Sequence, residues 1–179
     1  TLPHAEIRAI LHACRISFKE VSATPKLLRV VADSSALDMI AKRSMMYDQC
    51  GIEIAATRPS KKRLLSLLAS LNLSRHFAKR SSYAVRSLRV GGAFKQFQRA
   101  TFEREIGEAL RGKRRGVKVD LDHPEVTFLC VIYSQGFLLG EVTHSRVPGL
   151  IASRRPRKRP VFHPSTMPPK LARCVVNLA

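Results

Sequence analysis

The stretch Val126-Thr127-Phe128-Leu129-Cys130-Val131-Ile132-Tyr133 decides the fold class of this 179-residue chain. It is apolar almost throughout and rich in β-branched and aromatic residues, a composition that favours a strand. A strand that is apolar on both faces is buried on both faces, so we predict that it lies at the centre of a sheet.

The segments around this strand predict a mixed pattern of helices and strands. Residues 99–111 form a clear amphipathic helix with Phe102, Ile106 and Leu110 on its inner face. Gly91-Gly92 predicts a turn, because no G-x-G-x-x-G spacing follows it. The other predicted elements are a Leu-rich core helix over 61–71 and strands over 83–90, 117–121 and 137–142.

The first part of the chain predicts a different unit. Residues 3–13 and 34–43 have helical spacing, residues 16–23 and 27–31 form a hairpin around Thr24-Pro25-Lys26, and residues 45–56 form a strand. This order is that of a ferredoxin-like βαββαβ unit without its first strand. The predicted fold class is therefore α+β, a ferredoxin-like unit followed by an α/β domain, a linker and one helix.

The expected domain boundaries follow from these patterns. We predict an N-terminal ferredoxin-like domain over 1–57, a second domain over 58–145, a basic linker over 146–168 and a helix over 169–179. The last helix carries an apolar face of Leu171, Ala172, Val175, Val176 and Leu178. An isolated helix of this length is marginal in water. We therefore expect the chain to be a fragment, trimmed at both ends, whose last helix begins a further domain.

Hydropathy and cysteine usage restrict the class of protein. The sequence has no apolar run of the roughly 18 residues that cross a membrane, and no signal peptide, so we expect a cytoplasmic protein without a membrane partner. The four cysteines, Cys14, Cys50, Cys130 and Cys174, are widely separated, which makes disulfides and a metal site unexpected.

Charge is distributed unevenly along the chain, which has a formal net charge of +19. Residues 75–118 contain 13 basic and 3 acidic residues, residues 119–145 contain 4 acidic and no basic ones, and residues 146–179 contain 8 basic and no acidic ones. Two basic blocks on either side of an acidic segment favour a polyanionic partner.

Two short motifs resemble catalytic elements but lack their context. Asp120-Leu121-Asp122-His123-Pro124 falls between two predicted strands, where these residue types are typical of a turn. His4-Ala5-Glu6 has the spacing of a deaminase H-x-E element, but no Pro-Cys-x-x-Cys follows to complete a zinc site. We predict no catalytic residue in the chain.

Three segments of the second domain carry a family resemblance: Ser82-Tyr83-Ala84-Val85-Arg86, Glu105-Ile106-Gly107-Glu108-Ala109-Leu110 and Val119-Asp120-Leu121-Asp122-His123-Pro124-Glu125-Val126. In order and spacing they resemble a THUMP domain, a module of tRNA-modifying enzymes.

The end of the chain narrows the resemblance. Arg159-Pro160-Val161-Phe162-His163-Pro164, Pro169-Lys170-Leu171-Ala172-Arg173 and Val176-Asn177-Leu178-Ala179 resemble the tRNA guanosine-10 N2-methyltransferases. In that family a ferredoxin-like domain, a THUMP domain and a linker precede a Rossmann-like catalytic domain. The resemblance implies tRNA as partner and S-adenosylmethionine as methyl donor, bound in a catalytic domain absent from this chain. The chain alone is then expected to be inactive. Its contacts with the acceptor stem and the 3′ end are expected to act as a ruler that sets the distance to a target in the tRNA core.

Basic residues are the candidate tRNA contacts, because arginine suits phosphate and stacking contacts to RNA. In the second domain they are Lys79, Arg80, Arg86, Arg89, Lys95, Arg99, Arg104, Arg111, Lys113, Arg114 and Arg115. In the linker they are Arg154, Arg155, Arg157, Lys158 and Arg159, which either contact phosphates or only space the domains. Tyr83, Phe94 and Phe97 either stack on end bases or belong to the core.

Two other classes of protein stay open at this point. A non-enzymatic THUMP adaptor would present tRNA to a separate enzyme, and would lack the segment from Phe162 to Ala179. A non-specific basic nucleic-acid-binding protein would show no preference for an intact tRNA end.

Overall fold

The computed structural model describes residues 1–77, 81–92, 94, 98–111, 113, 116–147, 149, 155–158, 160–161, 163 and 165–179. The helices are α1 (Leu2–Ala13), α2 (Ser35–Arg43), α3 (Lys61–Ser70), α4 (Arg99–Arg111) and α5 (Pro169–Leu178), with a short 3₁₀ turn at Pro156–Lys158. The strands are β1 (Phe18–Thr24), β2 (Leu27–Ala32), β3 (Gln49–Thr57), β4 (Ser82–Arg89), β5 (Lys118–Val119), β6 (Val126–Tyr133) and β7 (Gly136–Ser145). None of the described helices has the length and hydropathy needed to cross a membrane.

The chain divides into two compact units. Unit 1 consists of Thr1–Cys50 and Thr143–Ala179, and unit 2 consists of Gly51–Val142. The chain therefore passes from unit 1 into unit 2 and back again. The domain boundaries predicted after residues 57, 145 and 168 stay predictions.

A five-stranded sheet with the order β3-β7-β6-β4-β5 forms the framework of unit 2. Strand β4 runs parallel to β6, and β6 runs antiparallel to β7. Strand β6 has the predicted bounds and the predicted central position, and Phe128 and Cys130 within it are fully buried. The apolar run in the sequence thus identified the centre of the sheet correctly.

Helices α3 and α4 pack on one face of this sheet. Strand residues alternate between the two faces, so Tyr83, Val85 and Ser87 of β4 point towards the helices, while Arg86 points to the opposite face. The core between sheet and helices contains Leu64 and Leu68 of α3 with the rings of phenylalanines from both layers. The Leu-rich sequence of α3 is thus explained on its inner side by core packing, as predicted.

The ferredoxin-like arrangement expected for the first part of the chain is not confirmed. Strands β1 and β2 form a two-stranded antiparallel sheet by themselves, in the predicted hairpin. Strand β3 would have to join that sheet, but it pairs with β7 in the five-stranded sheet instead. Gly136 permits this pairing, because a Cβ at Gly136 would lie 1.9 Å from the carbonyl oxygen of Thr57. The coarser prediction, a mixed fold of helices and sheets, is confirmed.

Strand β5 is shorter than the predicted strand over 117–121. It pairs with β4 only through Lys118 and Val119, opposite Ser82 and Tyr83. The backbone N–H of Asp120 still donates to the carbonyl oxygen of Tyr83 at 2.9 Å, after which the chain turns away. As a result, β4 has no strand neighbour on this side from Ala84 onwards among the described residues.

A small apolar cluster forms the core of unit 1. Leu11 of α1 and Ala36 and Ile40 of α2 are its buried members. Phe18 and Tyr47 pack against it from the hairpin and from the segment before β3.

The carboxylate of Glu6 in α1 is a fully buried hydrogen-bond acceptor. One of its oxygens accepts from the Ser44 hydroxyl at 2.5 Å and from the Met46 N–H at 3.0 Å. The other accepts from the Met45 N–H at 3.1 Å and from the Asn177 amide at 2.8 Å. The Glu6 carboxylate therefore accepts the hydrogen bonds of the segment after α2 and also holds α5 against α1.

Helix α5 is fixed to unit 1 by polar contacts. Arg173 donates to the carbonyl oxygens of Arg43 and Lys42 at the end of α2, at 2.8 and 2.7 Å. Cys174 is fully buried beside these contacts. Part of the predicted apolar face of α5 points into solvent, since Val175 is 46% and Val176 is 73% exposed. The expectation that α5 begins a further domain stays a prediction.

Replacing Glu6 by Gln should lower the free energy of unfolding by roughly 3 kcal/mol, because the amide NH₂ would face the N–H groups that the carboxylate now accepts from. Urea unfolding measures this decrease, and hydrogen exchange should show faster opening of α5. Glu20→Gln is the control, because Glu20 forms an exposed ion pair with Arg8 at 2.5 Å and should change stability little. Equal urea midpoints for the two variants would contradict the role given to Glu6.

Candidate nucleic-acid interface

Seven of the sixteen predicted tRNA contacts lie outside the described residues. They are Lys79, Arg80, Lys95, Arg114, Arg115, Arg154 and Arg159. The aromatic candidate Phe97 also lies outside the described residues. The structure places the remaining nine, which are Arg86, Arg89, Arg99, Arg104, Arg111, Lys113, Arg155, Arg157 and Lys158.

Strand β4 carries Arg86 and Arg89 on opposite faces of the sheet. Arg86 lies on the part of β4 that β5 does not cover, so it stands at an edge of the sheet. Its Nη2 donates to the carbonyl oxygen of Leu121 at 2.6 Å, and the side chain is half-buried. Arg89 is half-buried on the face that α3 and α4 cover. The two arginines cannot contribute to one flat surface.

Glu103 of α4 connects the helix to the uncovered edge of β4. Its Oε1 accepts from the Ser87 N–H at 2.7 Å, from the Ser87 hydroxyl at 2.8 Å and from Arg99 Nε at 2.9 Å. Burial alone would raise the pKa of Glu103, but the hydrogen bonds from Arg99 and Ser87 outweigh it and hold the pKa below its usual value. Arg99, one of the predicted tRNA contacts, is therefore partly used within the protein.

Two other predicted contacts project from α4 into solvent. Arg104 and Arg111 are exposed and form no ion pair within the described part of the chain. They are seven residues apart, which places them about two helical turns or 10 Å from each other on one side of the helix. Lys113, by contrast, donates to the carbonyl oxygen of Ala69 at the end of α3.

The predicted linker residues belong to unit 1. Arg155, Arg157 and Lys158 are all exposed, and Arg157 and Lys158 lie in the 3₁₀ turn. Their exposure leaves them able to contact phosphates, while the choice between phosphate contact and a spacer stays open.

One of the aromatic candidates is a core residue, and a second is half-buried against the core. Tyr83 is 1% exposed, and its hydroxyl donates to the carbonyl oxygen of Gly107 in α4 at 2.9 Å. Its ring meets the rings of Phe77 and Phe128 edge to face. Phe94 packs against the same core, with its ring 5.5 Å from that of Phe137. Burial leaves the Tyr83 ring unavailable for stacking on a base, while the choice between core and stacking stays open for the half-buried Phe94.

The loop after β5 lines an open cleft of about 900 Å³. Asp120 Oδ1 accepts from the N–H groups of Asp122 and His123, both at 2.9 Å. These hydrogen bonds lower the pKa of the Asp120 carboxyl. The Glu125 carboxylate accepts a hydrogen bond from the N–H of Ser81, just before β4, at 2.5 Å. The Asp120 carboxylate closes its own turn, as predicted for this motif, and among the described residues no group of His, Cys, Asp and Glu could hold a metal ion.

The sequence analysis missed two exposed cations in the first turn of α3. Lys62 and Arg63 point into solvent, whereas the neighbouring Lys61 forms an ion pair with Glu105 at 2.6 Å. The leucine spacing assigned this helix to the core, which is correct for its inner face only. A first turn with three bases and no acid was the available signal.

Comparison with known families assigns unit 2. Residues 60–140, which run from the start of α3 into β7, match the THUMP domain family. The chain contains a THUMP domain. The exposed cations Lys62, Arg63, Arg104 and Arg111 all lie within this domain, as do Arg86 and Arg89.

The similarity to known proteins extends beyond the THUMP domain. The chain is 29% identical over 178 residues to the tRNA (guanine(10)-N2)-dimethyltransferase of Methanothermobacter thermautotrophicus, a match that covers 99% of this chain and 51% of that protein. It is 37% identical over 100 residues to the enzyme of the same name from Methanocaldococcus jannaschii, covering 55% of this chain and 28% of that protein. The chain thus spans about half the length of the first of these relatives.

Among solved structures, a 4-thiouridine synthetase in complex with RNA and ATP shares the fold. The match has a TM-score of 0.51 at 13% sequence identity and covers 77% of this chain and 35% of that one. At this level of identity the likeness concerns the fold of the THUMP-containing region alone.

Replacing Tyr83 by Phe should lower the free energy of unfolding by about 1 kcal/mol, because the Gly107 carbonyl would have no buried hydrogen-bond donor from this side chain. The affinity for a tRNA transcript should stay unchanged, because the ring is inside the core. Urea unfolding and filter binding measure the two quantities. A severalfold decrease of affinity in a folded Y83F protein would show that Tyr83 contacts RNA.

Replacing Glu103 by Gln should lower the free energy of unfolding at pH 7 by roughly 1 to 3 kcal/mol, since the Ser87 N–H and Arg99 would have no charged acceptor. A lowered pKa in the folded state means that this stabilisation is present above the unfolded-state value near 4.5 and is lost as the pH falls through the folded-state value. Urea unfolding at pH 7 and pH 3 should therefore show the gap between wild type and E103Q shrinking in acid. Glu108→Gln, an exposed change on the same helix, is the control and should show no such gap.

Proposed function

We propose that this chain is the tRNA-binding region of an S-adenosylmethionine-dependent tRNA guanosine N2-methyltransferase that acts at position 10. The observation that carries the proposal is the 178-residue similarity to a tRNA (guanine(10)-N2)-dimethyltransferase, which covers 99% of the chain. The fold alone does not decide the chemistry, because a 4-thiouridine synthetase shares it. A match that includes unit 1 as well as unit 2 favours the methyltransferase.

The role of the chain in this proposal is to hold tRNA by its acceptor stem and 3′ end. The THUMP surface offers exposed arginines and lysines, whereas the ring of Tyr83 is buried in the core and the half-buried ring of Phe94 packs against it. Proteins that read RNA by shape rely on phosphate and 2′-hydroxyl contacts, which such a basic surface can make. A tRNA-binding protein with such a surface fits the cytoplasmic location expected from the sequence.

S-adenosylmethionine does not fit the described residues. A nucleoside cofactor needs a pocket that encloses most of its surface. The cleft beside the Asp120 loop is open. The Asp120 carboxylate there already accepts hydrogen bonds from its own turn, and the Glu125 carboxylate accepts one from Ser81. Gly91 and Gly92 form an exposed turn after β4, with φ values of 69° and 70°, rather than a phosphate-binding loop. We therefore propose that the methyl donor and the target guanosine bind in a part of the whole protein other than the described residues.

The binding of tRNA by its end predicts a specific dependence on the 3′-terminal nucleotides. The affinity of the protein for a tRNA transcript, for the same transcript without its 3′ end and for a plain RNA duplex should be measured between 50 and 200 mM salt. If about six to ten phosphates are contacted, the affinity for tRNA should fall by roughly 10³ to 10⁵ over this range. Removal of the 3′ end should weaken binding further at constant salt.

The salt dependence tests the charge of the surface, and the 3′-end dependence tests the ruler. Equal affinity for the trimmed transcript and the duplex would contradict the proposal and leave a non-specific basic protein. End-dependent binding without methyl transfer by the whole protein would indicate a THUMP adaptor instead.

A further inference from the structure

The outer face of the α3–α4 layer is a surface with defined geometry. Lys61 Nζ lies 2.6 Å from Glu105 Oε1, and Lys113 donates to the carbonyl oxygen of Ala69. Each contact joins residues that are 44 positions apart, so the two helices lie side by side and run in the same direction. The first turn of α3 is therefore next to the middle of α4, where Arg104 projects into solvent.

The acidic residues of this layer are largely used within it. Glu105 is paired with Lys61, and Glu103 accepts from Ser87 and Arg99. Glu108 is the remaining acid of the two helices, and it is exposed. Four exposed cations have no ion pair within the part of the chain that the structure describes, namely Lys62, Arg63, Arg104 and Arg111. The outer face therefore carries an excess of positive charge.

The helix itself gains nothing from the cations of α3. The first turn of a helix is its positive end, where acidic side chains stabilise and basic ones destabilise. Helix α3 has no acid in that turn. Lys61 is accounted for by Glu105, but Lys62 and Arg63 contribute neither packing nor an ion pair. Their presence is therefore unexplained by the stability of the domain.

The surroundings of these cations indicate the form of the partner. Ser66, Ala69 and Ser70 are the other exposed side chains of α3, and all are small. Phe102 is the one aromatic residue in the sequences of α3 and α4, and it is 2% exposed. Binding of single strands depends on exposed rings that stack on bases. A low, basic surface without such rings suits the phosphates of a base-paired stem.

We propose that Lys62 and Arg63, together with Arg104 and Arg111, bind the phosphates of a base-paired RNA stem across the outer face of α3 and α4. The proposal rests on the proposed function, because it assigns the stem of the tRNA to this face. It adds α3, which the sequence assigns to the core, to the RNA-binding surface.

The test is the double variant Lys62→Ala with Arg63→Ala, measured with a tRNA transcript and with a short RNA duplex of acceptor-stem sequence. Removal of one phosphate-binding cation should reduce the slope of log affinity against log salt by about 0.9. Removal of two then means that the advantage of wild type over the variant shrinks about tenfold between 50 and 200 mM salt. Both probes should show this change, because both contain the stem.

The matched control is the double variant Lys19→Ala with Lys26→Ala. These lysines are exposed on the β1–β2 hairpin, and their removal changes the net charge equally. The control should keep the wild-type salt slope. Urea unfolding separates binding from folding, because removal of two cations from the positive end of α3 should leave the α3 variant at least as stable as wild type.

The outcomes separate this inference from the proposed function. Equal salt slopes for the α3 variant and the hairpin control would overturn the inference, even if wild type still requires the tRNA 3′ end. A reduced slope for the α3 variant, combined with wild-type indifference to the 3′ end, would support the stem surface and contradict the proposed function. A reduced slope with tRNA but not with the duplex would also overturn the inference, since the contacts would then lie outside the stem.

Discussion

The contact between Glu103 and Ser87 is the constraint on which the exposed basic surface of α4 depends. Strand β5 covers β4 only as far as Tyr83, so the next backbone N–H groups on that edge need another acceptor. The Glu103 carboxylate supplies it for Ser87 and simultaneously fixes which side of α4 faces the sheet. The Tyr83 hydroxyl fixes the same helix one turn later, at Gly107. The buried residues Phe102, Ile106 and Leu110 complete this orientation, and Arg104 and Arg111 lie on the side of α4 that faces solvent.

The other acidic residues of unit 2 are engaged in a similar way. Most of them form contacts inside the domain: Glu105 with Lys61, Glu125 with Ser81, Glu141 with His76 and Asp120 with its own turn. Four exposed cations, Lys62, Arg63, Arg104 and Arg111, by contrast form no ion pair within the described residues. Exposed cations of this kind favour rapid encounter with a polyanion.

Local patterns in the sequence predicted the parts of the fold that depend on local patterns. The apolar run at Val126–Tyr133 could only be a central strand, and the spacing of Phe102, Ile106 and Leu110 could only be one face of a helix. The partner of β3 could not be found this way, because strand pairing is decided by distant residues such as Gly136. The role of Glu6 could not be predicted either, since a single acid in an amphipathic helix gives no sign of the four hydrogen-bond donors that surround it in space. Lys62 and Arg63 were overlooked for the opposite reason, because the leucines that follow them gave a sufficient explanation of the helix.

The division of the chain into two units has a consequence for the order of folding. Unit 1 is made of the two ends of the chain, and its contact between Glu6 and Asn177 joins residues 171 positions apart. Closing so long a loop in an unfolded chain costs considerable entropy. Once unit 2 has folded, however, Gly51 lies directly against Glu141, and the Thr143 hydroxyl reaches the carbonyl oxygen of Cys50 at 3.3 Å. Folding of unit 2 therefore brings the two segments of unit 1 close together in space. A destabilising substitution in the core of the THUMP domain would also delay the folding of unit 1, although unit 1 contains no residue of that domain.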